Sequence, residues 1–167
     1  ELELSKSGLF AHFKSKEQLQ LEVVAEARER FTNIVVIPAL KAPRGRPRVE
    51  ALFEGYIKWI HGAFGTDKGP TGCILMALSY EYDDRPGPVR DALVKSQQDW
   101  LDSIARVARG AIEEGHFAKD LDARQFAFEF DGMLMAFHHA TKLHLNPRAE
   151  SMARKALGHL RDRASLS

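Results

Sequence analysis

Apolar positions recur every three or four residues along almost the whole chain, and no stretch alternates with the period of two that a half-buried strand requires. The pattern predicts an all-α protein. From Lys16 to about Val36, Leu19, Val23, Ala27, Phe31 and Ile34 mark one face of a long helix, which Pro38 stops or kinks. "KAPRGRPR" (41–48) carries four positive charges with two prolines and a glycine, and reads as a solvated connector. Pro47 suits the first turn of a helix running to about Phe64, with Leu52, Tyr56, Trp59, Ile60 and Ala63 on its buried side.

After the connector "GTDKGP", the segment "TGCILMALSYEY" (71–82) is apolar nearly all round, which predicts a helix packed on most sides. "DDRPGP" breaks it and opens a long helix from about Pro86 to Glu114, with Val89, Leu93, Trp100, Ile104, Val107 and Ile112 inward and Gly115 at its end. Asp122 and Gln125 give a capping-box-like start to a helix reaching about Leu145, where "NP" ends it. A last helix covers roughly Arg148 to Arg163. In the helix from Asp122, Phe126, Phe130, Met133, Phe137 and Ala140 form one apolar face, while Phe128, Gly132 and Met135 form a second. A helix apolar on two sides often has a second subunit against one of them.

The N-terminal segment "SKSGLFAHFKSKEQL" (5–19) is built differently. Ser5 is a good N-cap, and Ser15 with Gln18 forms a capping box, so a helix of about two turns precedes the long one. Leu9 and Phe13 share an apolar face; Lys6, Phe10 and Lys14 share another, flanked by Ser7 and Ala11. Lysines, a donor hydroxyl and small side chains on one face suit a polyanion surface, the alternative being a solvated face on a helical hairpin.

Composition narrows the classes. The 167 residues carry a net charge of +1, so any affinity for nucleic acid must come from a local patch. No apolar run reaches the roughly 20 residues that span a bilayer, so no membrane partner is expected. A single cysteine, Cys73, excludes an internal disulfide framework and fits a reducing cytoplasm. His138, His139 and His144 lack the three- or four-residue spacing of a helical metal pair, and no Ser- or Cys-based nucleophile motif or glycine-rich nucleotide loop is present. No metal, cofactor or enzymatic activity is expected.

The segment 5–19 is similar to the end of the DNA-binding domain of TetR-family transcriptional regulators, where a recognition helix S-K-x-x-[LI]-[YF]-x-H-F-x runs into a connecting helix beginning [SD]-K-E-x-L. Ser5, Lys6, Leu9, Phe10, His12, Phe13, Lys16, Glu17 and Leu19 fall on that pattern. More diffusely, "GC" (72–73), "DDRPGPVRDAL" (83–93) and "FAFEFDG" (126–132) resemble one subgroup of the family. The resemblance implies that Lys6, Ser7 and Ala11 face base edges in a double-stranded DNA operator, with Ser5, Phe10, His12 and Lys16 near phosphates. Phe10 stands where tyrosine is commoner, so that position offers no phenolic hydrogen bond.

The family's two preceding helices need about thirty residues, and "ELEL" is all that stands before Ser5, so a longer parent protein is expected. The implied organisation is a remnant of the DNA-binding domain (recognition helix 5–14) with its linker helix over 1–36, then an effector-binding and dimerisation domain over 37–167. The resemblance also implies a homodimer through the last two long helices, and repression relieved by a small apolar or amphipathic effector. Trp59, Met76, Tyr80, Trp100, Phe130, Met133, Phe137 and His138 are the residues expected around that effector, and Ser79, Glu81 and Asp131 are polar groups needing partners if buried. The rival readings are a helical small-molecule-binding module acting through protein partners without DNA, and a helical-bundle enzyme.

Overall fold

The computed structural model describes residues 15–62 and 72–165, and among these every regular element is helical. Helix α1 (Lys16–Phe31) continues through a π-helical turn (Thr32–Val36) into α2 (Ile37–Lys41). The others are α3 (Arg46–Gly62), α4 (Ile74–Tyr82), α5 (Pro88–Glu113), α6 (Ala123–Lys142) and α7 (Ala149–Ser165). The predicted recognition helix over 5–14 and the expected end of α3 at Ala63 and Phe64 lie outside the described residues.

The chain forms two compact units, one from residues up to 30 together with 74–97, the other from 31–73 and 98–167. The first has a small core of Val24, Val89 and Leu93, against which Leu21, Leu75, Leu78, Tyr82 and Ala92 pack. Its α4 departs from expectation: none of its residues is fully buried, and Ile74 and Tyr80 are exposed. The Leu75–Leu78–Tyr82 face meets this core, while Ile74 and Tyr80 stand exposed and Met76 and Ser79 are half-buried.

The second unit is centred on α3, whose Val49, Leu52, Phe53, Gly55, Tyr56, Ile57, Trp59 and Ile60 are all buried. Helices α6 and α7 pack on each other. Buried Ala149, Ala153, Leu157, Leu160 and Ala164 give α7 a narrow alanine–leucine stripe at helical spacing. Asp122 caps α6 as expected, its Oδ1 accepting from the amides of Arg124 (2.8 Å) and Gln125 (3.1 Å). Arg154 spans to Glu54 and Glu150, and Arg161 to Glu50. Such exposed or half-exposed pairs fix the register of α7 on α3 more than they stabilise the fold.

Two findings concern the first long helix. Of the two outcomes expected at Pro38, a stop or a kink, the helix does not stop: it changes geometry in the π-helical turn before the proline and continues. The amide of Ile37 donates to the carbonyl of Thr32, five residues back, and the widened turn lets a residue without N–H pass into α2. The buried positions are Val24, Ala27, Phe31 and Val35, so the inward face runs through Val24 and Val35 where Val23 and Ile34 were expected. The π turn itself carries the chain from Phe31 to Val35.

Val35 is seated against Gly55 of α3. A Cβ on Gly55 would stand 3.1 Å from the Cα of Val35 and 3.3 Å from its carbonyl oxygen, so the glycine is what allows the two backbones to approach. The connector 41–48 is tied inward: Arg44 pairs with Glu113 and Glu114, Arg46 with Glu50, and Arg48 donates to the Ala42 carbonyl. Gly45, at φ +89°, leaves room for the His116 imidazole, whose Nδ1 accepts the first amide of α3 from Arg46 at 3.2 Å.

These contacts predict opposite outcomes at two helical glycines. Gly55→Val should lower stability by about 1–3 kcal/mol, because it pushes backbone against backbone. Gly110→Ala, where an added Cβ meets nothing within 4 Å, should be neutral or stabilising by about 0.5–1 kcal/mol. Urea unfolding followed by circular dichroism measures both; equal effects would show that the α3 contact is not tight.

Candidate functional site

Four aromatic side chains meet in the second unit: Phe31 from the end of α1, Tyr56 and Trp59 from α3, and Trp100 from α5. The centroid of Phe31 lies 5.0 Å from that of Trp100, 5.4 Å from Trp59 and 6.2 Å from Tyr56, with interplanar angles of 87°, 89° and 78°. Tyr56 and Trp100 are stacked at 6.3 Å. Edge-to-face contact puts the positive rim of one ring on the negative face of another, which adds to the burial each ring already gains. Helix spacing explains the convergence. Tyr56 and Trp59 are three apart on α3 and project together, while Phe31 and Trp100 each present one ring from their own helix.

Behind Trp100 lies a carboxylate. The indole Nε1 donates to Oδ1 of Asp131 at 2.8 Å, and Asp131 is buried on α6. This is the partner that a polar residue inside the apolar run "FAFEFDG" required. Phe130 belongs to a different aromatic row: it stacks on Phe126 at 6.1 Å, and Phe126 touches Phe117 at 5.2 Å. Phe137 is buried with His61 against its ring, at 5.9 Å. Met133 is half-buried, and Leu134 takes the fully buried place next to it.

His138, half-buried further along α6, accepts the Cys73 amide through Nε2 at 3.2 Å. An amide can only donate, so this bond requires an unprotonated Nε2. Burial pushes the His138 pKa below its ordinary value, and the neighbouring charges of His139 and Lys142 push it the same way. Among the expected effector residues, then, Trp59 and Trp100 are joined through Phe31 and Tyr56, while Phe130, Phe137 and His138 make other contacts. Met76 and Tyr80 belong to the first unit, the former half-buried and the latter exposed. Sequence reasoning assigned Phe31 and Tyr56 to the core alone. The available signal was the position of Phe31 as the last large ring before the proline-bearing turn.

Of the residues expected at DNA, Ser5, Lys6, Ser7, Phe10, Ala11 and His12 lie outside the described residues. Lys16 is exposed in the first turn of α1, where the Gln18 amide donates to Ser15 Oγ at 3.0 Å. The serine thus caps the helix as its sequence requires.

On α6 the side opposite the core carries Phe128 and Leu143, each 70% exposed, with exposed Gly132 and half-buried Met135 between them on the same helical stripe. Met152 on α7 is 55% exposed. These apolar groups are the second face that the sequence set apart from the core. Among the described residues no group of three or more His, Cys, Asp or Glu is placed to hold a metal ion, and no helix is long and apolar enough to cross a membrane.

The His138 contact gives a pH dependence to stability. The folded pKa of His138 lies below the ordinary 6.5, so the unfolded chain takes up this proton first. The contribution is full above that value and declines as pH falls from it towards the folded pKa. His138→Gln should flatten the loss of stability on acidification below pH 6.5 relative to the parent protein, as read by melting temperature against pH. Identical slopes for the two proteins would contradict the assignment.

A sequence-family model described as "Tetracyclin repressor-like, C-terminal domain" matches residues 45–157. No curated protein sequence matches the chain. Among solved structures, a TetR-family transcriptional regulator from Streptomyces coelicolor is 21% identical, with a TM-score of 0.76 over 97% of this chain and 79% of that one. A TetR regulator from Chloroflexus aurantiacus is 19% identical, with a TM-score of 0.78 over 95% of this chain and 77% of the other. AibR, solved in complex with isovaleryl coenzyme A and operator DNA, is 18% identical, with a TM-score of 0.73 over 98% of this chain and 82% of its own. At these identities the likeness is one of fold.

Proposed function

The chain belongs to the TetR family of transcriptional regulators, and from that premise we propose that it is a homodimeric, non-enzymatic, cytoplasmic repressor released from its operator by a small apolar or amphipathic effector. The observation that carries the DNA half of this reading is the junction at Ser15. There a Lys- and Ser-bearing segment of recognition-helix pattern runs directly into a helix whose first turn is capped by that serine and exposes Lys16. Lys6, Ser7 and Ala11 read base edges, while Ser5, Phe10, His12 and Lys16 lie along the phosphates. Two such helices, related by the dimer's two-fold axis, meet half-sites about one helical turn or a multiple apart.

The apolar stripe on α6 supports the homodimer. Phe128 and Leu143 are too exposed to serve the monomer core, and Gly132 between them lets a facing helix come close. The buried rings around Trp100 and Trp59 support an apolar effector, and AibR offers a relative that holds a small molecule and an operator together. Coupling follows from differential affinity: an effector that binds better when the DNA-binding segments are set apart for release lowers operator affinity by the same factor.

For DNA, Lys16→Ala in the intact protein should weaken specific and random duplex alike and reduce the salt slope of log K by about one unit. Lys6→Ala should weaken the specific site preferentially. Wild-type binding by both variants in a salt-dependent titration would sink the recognition-helix assignment.

For assembly, sedimentation of the 167-residue chain should give a dimer at micromolar concentration. Phe128→Asp should raise its dissociation constant by about 100-fold, since it buries an unpaired carboxylate, roughly 3 kcal/mol. The monomer's helical content should not change, because Phe128 is exposed within one chain. A monomeric parent protein, or an unaltered constant in the variant, would rule out this interface.

A further inference from the structure

We infer that the His138 imidazole is a proton-operated clasp on the start of α4, closed while the ring is neutral and released when it takes up a proton. The clasp needs neither operator nor effector, so it stands apart from the proposed function. A helix start is ordinarily closed by Ser, Thr, Asp or Asn at the N-cap, or by Glu or Gln three residues on, reaching back to the N-cap amide. At the start of α4 (Ile74–Tyr82) those places fall to Cys73 and Met76, which belong to neither type. The Cys73 amide is met instead from α6, by Nε2 of His138 at 3.2 Å. From α3 the Ile60 carbonyl accepts the Gly72 amide at 3.3 Å. Gly72 is what admits the ring: it sits at φ +75°, and a Cβ there would stand 3.1 Å from His138 Nε2 and from Cγ and Cε of Lys142.

The ring is set so that a further proton has no favourable place on it. Accepting through Nε2 leaves the hydrogen of the neutral imidazole on Nδ1, and Nδ1 is buried without a hydrogen-bond partner. A second proton goes to Nε2, where N–H then faces N–H, while Nδ1 still lacks an acceptor. On α6 the charged neighbours are His139, whose ring centroid lies 6.2 Å away, and Lys142, and both oppose another positive charge. Residues 72–73 bring the Cys73 thiol. On α3, His61 lies against the Phe137 ring and 3.1 Å from Glu150 of α7, a carboxylate that Arg154 also holds. Burial, with the charges of His139 and Lys142, keeps the folded pKa of His138 below 6.5. A charged ring is relieved by leaving Cys73, and the start of α4 is free to respond, because no residue of α4 is fully buried and local opening there costs less than opening the core. The clasp is therefore closed at neutral pH and above. Opening takes up one proton, so it becomes about tenfold easier for each pH unit between 6.5 and the folded pKa.

Hydrogen exchange followed by NMR in the intact protein, with each rate divided by its intrinsic value, reads the clasp at the Cys73 amide. On titration from about pH 8 to about pH 5, the protection of this amide should hold and then fall by about tenfold per pH unit below 6.5. The amides of Phe53 and Leu134, both fully buried, should keep their protection over the same range. His138→Gln puts a group that does not titrate in place of the ring and should remove the pH dependence at Cys73. If that variant is not folded by circular dichroism, Lys142→Met, which keeps the stem over Gly72 without the charge, is measured in its place. It should shrink the total loss of protection, because the folded pKa of His138 moves towards 6.5. Flat protection at Cys73 in the parent protein, a loss shared in step by Phe53 and Leu134, or a variant with the parent's profile would overturn the inference.

Discussion

The contact on which the second unit depends is the seating of the end of the first long helix on α3. Two adjacent turns make it. Phe31 enters the rings of Tyr56, Trp59 and Trp100, and Val35, one π turn later, presses on the backbone at Gly55. Neither contact alone specifies the geometry. The edge-to-face contacts orient the Phe31 ring, and the close approach of Val35 to the Gly55 position fixes the distance between the two backbones. The proline at 38 makes the combination possible, because the turn that accommodates it also sets the spacing between Phe31 and Val35. The segment from Phe31 to Val35 and α3 are thus one packing problem.

Helix α6 divides the remaining work between its faces. Phe126, Phe130, Leu134 and Phe137 are at most 2% exposed and hold α6 to its own subunit, and Asp131 on the flank of that face holds the Trp100 indole. The opposite stripe, with Phe128 and Leu143, is apolar and exposed, and takes no part in the buried core among the described residues.

Much of this was legible in the sequence because helical periodicity is a local property. The elements from α3 onward, the Asp122 cap, the stop at Gly115 and the two-sided α6 follow from spacing and capping chemistry. So does the family, through the compact pattern around Ser5–Leu19 and the diffuse one in "FAFEFDG". The failures have a common origin in tertiary packing. A valine pair at 23–24 fits either phase of a helix, and the choice of Val24 is made by Val89 and Leu93, which are far away in sequence. The passage of the helix through Pro38 depends on a widened turn that α3 stabilises from outside through Gly55 and Val35. Helix α4 is as apolar as a buried helix, yet none of its residues is fully buried, and composition carries no information about what covers them. The pairing of Asp131 with Trp100 joins residues 31 apart; the sequence could say that a buried carboxylate needs a donor but not which one. For the same reason the site residues were named singly from their helices, and the ring that completes the cluster, Phe31, stood among the ordinary core positions.

The central claim is that Phe31 and Trp100 act as one unit, so that the segment entering α3's aromatic cluster and the helix carrying Trp100 are packed as a single core. A double-mutant cycle with Phe31→Leu, Trp100→Leu and the double variant, measured by urea unfolding, isolates their interaction from the separate loss of the Asp131 hydrogen bond, which cancels in the cycle. The account predicts a coupling of about 0.5–1.5 kcal/mol, the range of a well-formed edge-to-face pair. Strictly additive losses would contradict it, since the two rings would then be neighbours in a core and nothing more.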